Sequence, residues 1–135
     1  MPNLSIASRA AALRPFVCSS TGGGLDAAWV HVAGDLDIAT SPQLEQALSE
    51  SGARLVVLDL RELEFMDSAG VHAIVDASNN ALRDGRRLIL LRGTPSVDRL
   101  FALTGTHAHV EIGDLDLLDP PERSLRLFAD EALVP

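Results

Sequence analysis

The 135-residue sequence has no lysine: all 11 of its basic residues are arginine. That absence removes Schiff-base chemistry, a lysine general base and the lysine of a phosphate-binding P-loop. There is a single cysteine, Cys18. One thiol makes no internal disulfide, which agrees with a cytoplasmic setting, and Cys18 reads as a small apolar filler rather than a nucleophile. Tyrosine is missing and aromatics are only 4% of the chain, so Leu, Val, Ala and Ile must build the interior. No apolar run approaches membrane-spanning length, and Met1 to Leu13 lacks the apolar centre of a secretory signal. Direct membrane insertion is therefore not expected. Positive charge is scarce: 19 acidic residues against 11 basic ones leave a formal net charge of −8. Such a chain repels phosphate backbones and anionic lipids, and without a basic stripe it is not expected to bind nucleic acid.

What is present suits one domain with one core, since 47% of residues are hydrophobic. Residues 1–14 read as a flexible N-terminal arm, 15–130 as the folded domain and 131–135 as a tail. Phe16 to Ser20 and Ala28 to Ala33 read as two strands around the turn Thr21-Gly22-Gly23-Gly24, with Gly34-Asp35-Leu36-Asp37 ending the second. Thr40-Ser41-Pro42 opens a helix with the stripe Leu44, Ala47, Leu48, closed by Gly52. Leu55-Val56-Val57-Leu58 and Leu88-Ile89-Leu90-Leu91 are continuous apolar runs, as expected of strands covered on both faces. Between them a longer helix runs from Ser68 to near Gly85. It has Val71, Ile74, Val75, Ser78 and Leu82 on one side and His72, Asp76, Asn79 and Arg83 on another. Thr94-Pro95 opens a third helix with Val97, Leu100, Phe101 and Leu103 inward. His109 to Ile112 reads as an edge strand, and Pro120-Pro121 starts a last helix carrying Leu125, Leu127 and Phe128. Strands alternating with helices imply an α/β fold. The expected sheet is mixed, of four to five mostly parallel strands with an initial antiparallel hairpin, packed with about four helices.

In such sheets function gathers at loops beyond the C-terminal ends of parallel strands. Two loops qualify: Gly34 to Thr40, with Asp35 and Asp37, and Glu64 to Gly70, with Asp67 and Ser68. Ser68 stands at a helix start, where free N–H groups and the helix dipole accommodate a phosphoryl group. From spacing alone the commoner reading is that Ser68 or Asp67 is an ordinary N-cap, since Ser and Asp are the usual residues there. A hydrolase is disfavoured, because Met66-Asp67-Ser68-Ala69-Gly70 lacks the first glycine of a nucleophile elbow. His107 and His109 would share a strand face, but no carboxylate or cysteine joins them at a metal-ligand spacing. Asp35 and Asp37 suit turn formation better than a metal pair, and Asp114 to Asp119 reads as a solvated loop. No catalytic residue, metal or cofactor is expected. The partner surface is expected to comprise Asp35, Asp37 and Thr40, Asp67 and Ser68, and the outer helix face of His72, Asp76, Asn79 and Arg83, which the core does not need.

Taken together, these segments resemble the STAS domain, the fold of bacterial anti-sigma factor antagonists. The resemblance rests on Val32-Ala33-Gly34-Asp35-Leu36-Asp37, on Val57-Leu58-Asp59-Leu60 followed by Leu63 and Phe65-Met66-Asp67-Ser68-Ala69-Gly70-Val71, and on Thr94-Pro95, Val97, Arg99-Leu100-Phe101 and Thr104-Gly105. It spans about Phe16 to Phe128. It implies a non-enzymatic switch in which Ser68 is the phosphoacceptor and Asp37 and Asp67 are the acids beside it. The implied partners are an anti-sigma factor with serine kinase activity and a phosphatase acting on phosphoserine. The implied alternative is an accessory or scaffold subunit of a transporter or stress-sensing complex. Two positions depart from the family pattern: Ala69 stands where Ser or Thr is common, and His72 where a small residue is common.

Overall fold

The computed structural model describes residues 16–22 and 26–113. Five strands form one sheet in the order β1-β2-β3-β4-β5. They are β1 (Val17–Gly22), β2 (Ala27–Leu36), β3 (Leu55–Met66), β4 (Arg87–Leu91) and β5 (Glu111–Gly113). β1 and β2 are an antiparallel hairpin, and every other pairing is parallel. The parallel strands are joined through α1 (Ser41–Glu50), α2 (Ser68–Arg83) and α3 (Pro95–Leu103), with a 3-10 turn at Thr106–His109. The expected mixed α/β sheet is thus present. The expected helix after Pro120 lies outside the described residues, as do the arm and the tail.

The apolar runs behave as strands covered on both faces. Leu55 to Leu60 are all buried, and their alternate side chains enter two different clusters. Val56, Leu58 and Leu60 join Val30, Val32, Leu88 and Leu90 against Leu44 and Leu48 of α1, Val71, Ile74 and Ala81 of α2, and Val97 and Phe101 of α3. Half-buried Cys18 packs on this cluster, and burial pushes its thiol pKa up, as suits a filler. Leu55 and Val57 face the other way, with Ala27, Trp29, Ile89 and Leu91.

Several boundaries differ from the sequence reading. β2 runs on through Gly34-Asp35-Leu36 instead of stopping at Ala33, because two register shifts against β3 absorb the irregularity. Gly34 takes φ of 88° there, a conformation costly for any residue with a Cβ. β3 likewise continues eight residues past Leu58, from Asp59 to Met66. Leu82 and Leu103 do not point inward; they are 66% and 73% exposed. The buried stripe of α2 is Val71, Ile74, Ser78 and Ala81, and Leu82, one residue on, is turned about 100° away from it. His109 is not in a strand: His107 and His109 lie on the 3-10 turn. At three residues per turn, neighbours two apart do not share a face.

One charged group is buried within β3. Asp59 is 3% exposed. Arg61 donates from Nε and Nη2 to its two oxygens, each at 2.9 Å, and from its backbone N–H at 3.0 Å. The Arg61 guanidinium lies 5.7 Å from the centre of the Trp29 ring. His31 stands 3.6 Å from Asp59 and 3.4 Å from Glu62. Burial raises the Asp59 pKa, but the Arg61 hydrogen bonds and charge, with His31, outweigh it and leave the carboxyl below its ordinary value. A pKa lowered by folding contributes stability above the unfolded-state value that is lost as pH falls through the folded-state value. Asp59→Ala should therefore cost about 3 kcal/mol near pH 7, since it strands Arg61 beside the apolar cluster. In urea unfolding, the gap to wild type should narrow steadily as pH drops below the ordinary carboxylate range. A gap independent of pH would exclude this account.

Candidate functional site

The ends of β2 and β3 build the rim. Asp35 pairs with Phe65 and Leu36 with Met66. The pairing extends one step further, because the Asp67 N–H donates to the Leu36 carbonyl at 3.2 Å. The two loops singled out by sequence are thereby held side by side.

Asp67, not Ser68, caps α2. Its backbone is still extended, at φ −105° and ψ −174°, and its side chain accepts from the Gly70 N–H at 3.2 Å. Ser68 becomes the first helical residue, exposed, and its hydroxyl has no hydrogen-bond partner among the described residues. The first turn of α2 rests directly on the strand ends. A Cβ at buried Gly70 would lie 2.6 Å from Met66 Cγ and 2.9 Å from the Leu36 carbonyl oxygen.

The facing loop is also pinned. Asp37 Oδ1 accepts from the N–H groups of Ala39 and Thr40 at 3.0 and 3.1 Å. The Thr40 hydroxyl donates to the Asp35 carbonyl at 2.8 Å and accepts from the Asp37 N–H at 2.9 Å. Thr40 occupies the N-cap position of α1, but its side chain makes no cap bond there, because it is spent on this turn. The Ser41 hydroxyl, 5% exposed, donates to the Asp37 carbonyl at 2.6 Å. Asp37 and Asp67 therefore have structural duties, and both still place negative charge on the rim. Asp35 is half-buried beside them.

Of the sequence-chosen residues, the structure gathers Asp35, Asp37, Thr40, Asp67 and Ser68 at this rim. His72 lies one helical turn along α2. His72, Asp76, Asn79 and Arg83 are all exposed, but the face is long: Arg83 is about 22 Å along the helix from Ser68 at the standard rise. Asp76 and Arg83 instead border a groove of about 640 Å³ between α1 and α2, floored in part by Leu48, Ala73 and Ala77. Sequence reading missed Ile38 and Phe65, which are 79% and 51% exposed on the same rim. Their signal was large apolar side chains inside the two chosen loops. Among the described residues no three His, Cys, Asp or Glu side chains are placed to hold a metal. No histidine there hydrogen-bonds Ser68.

The STAS domain family model matches residues 24–115. The chain belongs to the STAS domain family. This STAS domain is 32% identical over 79 residues to the anti-sigma-B factor antagonist of Staphylococcus aureus, covering 56% of this chain and 73% of that one. In fold it is similar to the anti-sigma factor antagonist SpoIIAA in its unphosphorylated form. The TM-score is 0.65 at 19% identity, over 90% of this chain and 100% of that one. It is also similar to a sulfate transporter family protein from Wolinella succinogenes, with TM-score 0.66 at 15% identity, over 84% of this chain and 92% of that one. Among the described residues, no helix is long and apolar enough to cross a membrane.

Proposed function

We propose that this STAS domain is an anti-sigma factor antagonist that acts in the cytoplasm by partner switching and regulates transcription indirectly. Unmodified, it binds an anti-sigma factor with serine kinase activity. That kinase transfers the terminal phosphoryl group of a nucleoside triphosphate to Ser68. The Oγ–P bond forms as the bond to the diphosphate breaks, and the Oγ proton passes to the kinase. A phosphatase hydrolyses the ester and resets the switch. The chain itself supplies no catalytic residue and no cofactor.

The observation that carries this reading is the division of labour at the start of α2. Asp67 does the capping, so the exposed Ser68 hydroxyl is spare. A phosphate there meets the helix N-terminus and adds roughly −1.5 to −2 charge beside Asp67 and Asp37. The fold tolerates it, while a docked partner face meets added repulsion and desolvation. The Staphylococcus relative supports the same reading. The second reading, an accessory or scaffold subunit of a transporter or stress-sensing complex, draws on likeness in fold alone, to transporter proteins such as that of Wolinella succinogenes. Incubation with the purified anti-sigma factor and ATP, followed by intact-mass measurement and site mapping, separates the two. The proposal requires one phosphate, on Ser68; a stable complex without modification favours the second reading.

The partner surface is assigned to the rim and to the outer face of α2, namely His72, Asp76, Asn79 and Arg83. Asp76→Arg and Arg83→Glu should each weaken binding by about ten-fold while shifting thermal unfolding little, since exposed substitutions usually stay within about 0.5 kcal/mol. Normal binding by both variants would remove the groove end of α2 from the surface.

A further inference from the structure

We infer that His72 is an intramolecular clasp for a phosphoryl group on Ser68, an inference that rests on the proposed phosphorylation of that residue. Ser68 is the first residue of α2 and His72 stands four residues on. On a helix that spacing brings Cβ atoms within about 5–6 Å of each other. The direction is also favourable. Helical side chains lean toward the N-terminus, so His72 leans back over Ser68 rather than away from it. Both side chains are exposed, and neither has a hydrogen-bond or ion-pair partner among the described residues, so nothing must be broken for them to meet. An imidazolium adds a positive charge and N–H donors to those of the helix N-terminus, beside a dianion whose rim neighbours Asp37 and Asp67 are carboxylates.

Other charges near His72 are fixed in both states of the protein. Asp76 lies one turn further along α2, and Asp67 and Asp37 belong to the rim. Their effect cancels when the phosphorylated and unmodified forms are compared. Phosphate favours the charged imidazole. The clasp is therefore closed while His72 is protonated and opens when the imidazole loses that proton. The released state of the switch then answers to pH as well as to the kinase and phosphatase.

The test uses full-length protein carrying phosphoserine at position 68 by genetic encoding, so that it does not depend on any kinase. NMR follows the ring carbon-bound protons of His31, His72, His107 and His109 across pH, with and without the phosphate. The titration of His72 should move up by about half a pH unit or more, as an opposite charge at this range dictates, while the other three stay put. The phosphorus resonance titrates on the phosphate's own second ionisation, at about 6, and His72→Ala should move that midpoint up, because an imidazolium beside it favours the dianion. An unmoved His72, or a phosphorus midpoint that His72→Ala leaves unchanged, overturns the clasp. Failure of the kinase to modify Ser68, with the His72 shift intact, would instead count against the proposed function and leave the clasp standing.

Discussion

Ser68→Glu should fold at least as well as wild type and bind the anti-sigma factor about 10- to 100-fold more weakly, equivalent to about 1.4–2.8 kcal/mol. The two effects have opposite signs for one reason. A carboxylate in the first turn of α2 interacts favourably with the exposed N–H groups and the helix dipole, by about 0.3–1 kcal/mol. The same charge joins Asp37 and Asp67 on the rim that the proposed partner covers. One carboxylate carries about half the charge of a phosphate, so the true phosphoprotein should bind more weakly still. Ser68→Ala should bind normally and resist release by the kinase, because its hydroxyl has no partner to lose. Calorimetric affinities and thermal melts of both variants check this. Wild-type affinity in Ser68→Glu would sink the switch, as would phosphate mapping to Ser78 or Thr94. Both are poor acceptors here: Ser78 is 5% exposed, and the Thr94 hydroxyl is buried.

The largest effect away from Ser68 is expected at Gly70. Alanine in a helix interior ordinarily gains about 1 kcal/mol over glycine. At Gly70 the added Cβ would meet Leu36 Cγ at 3.0 Å and, more seriously, the Leu36 carbonyl oxygen at 2.9 Å. Met66 Cγ, at 2.6 Å, belongs to a flexible side chain and can give way. The carbonyl cannot, because the same oxygen accepts from the Asp67 N–H. Gly70→Ala should therefore destabilise the protein by about 1–3 kcal/mol, a fall of several degrees in melting temperature. It should also weaken partner binding, because lifting the first turn of α2 moves Ser68. Gly52→Ala is the control: nothing lies within 4 Å of its added Cβ. Equal melting temperatures for the Gly70 and Gly52 variants would show that the strand ends yield freely.

The sequence by itself determined the sheet and its crossovers, because the signals are local and strong. Six consecutive buried positions from Leu55 to Leu60 read as apolar everywhere but Asp59, and Pro42 and Pro95 mark helix starts that the structure keeps. It also determined which face of α2 is spare, since the spacing of His72, Asp76, Asn79 and Arg83 is a property of any helix. Even the Asp59–Arg61 pair was legible in principle: residues two apart on a strand share a face, and an acid inside an apolar run needs a partner there. Only the tertiary structure decided between Asp67 and Ser68 as the cap. Both are cap residues by type, and the choice depends on the extended backbone that Asp67 inherits from its bond to Leu36. It alone decided that β2 continues through Gly34, because a bulge is defined by the neighbouring strand and not by the residues that form it. It alone turned Leu82 and Leu103 outward, since apolar periodicity gives a direction of burial but not where the covering surface ends. And it alone set the pinned Asp37 turn beside a spare Ser68 hydroxyl, because those groups lie in separate loops that only β2–β3 pairing brings together.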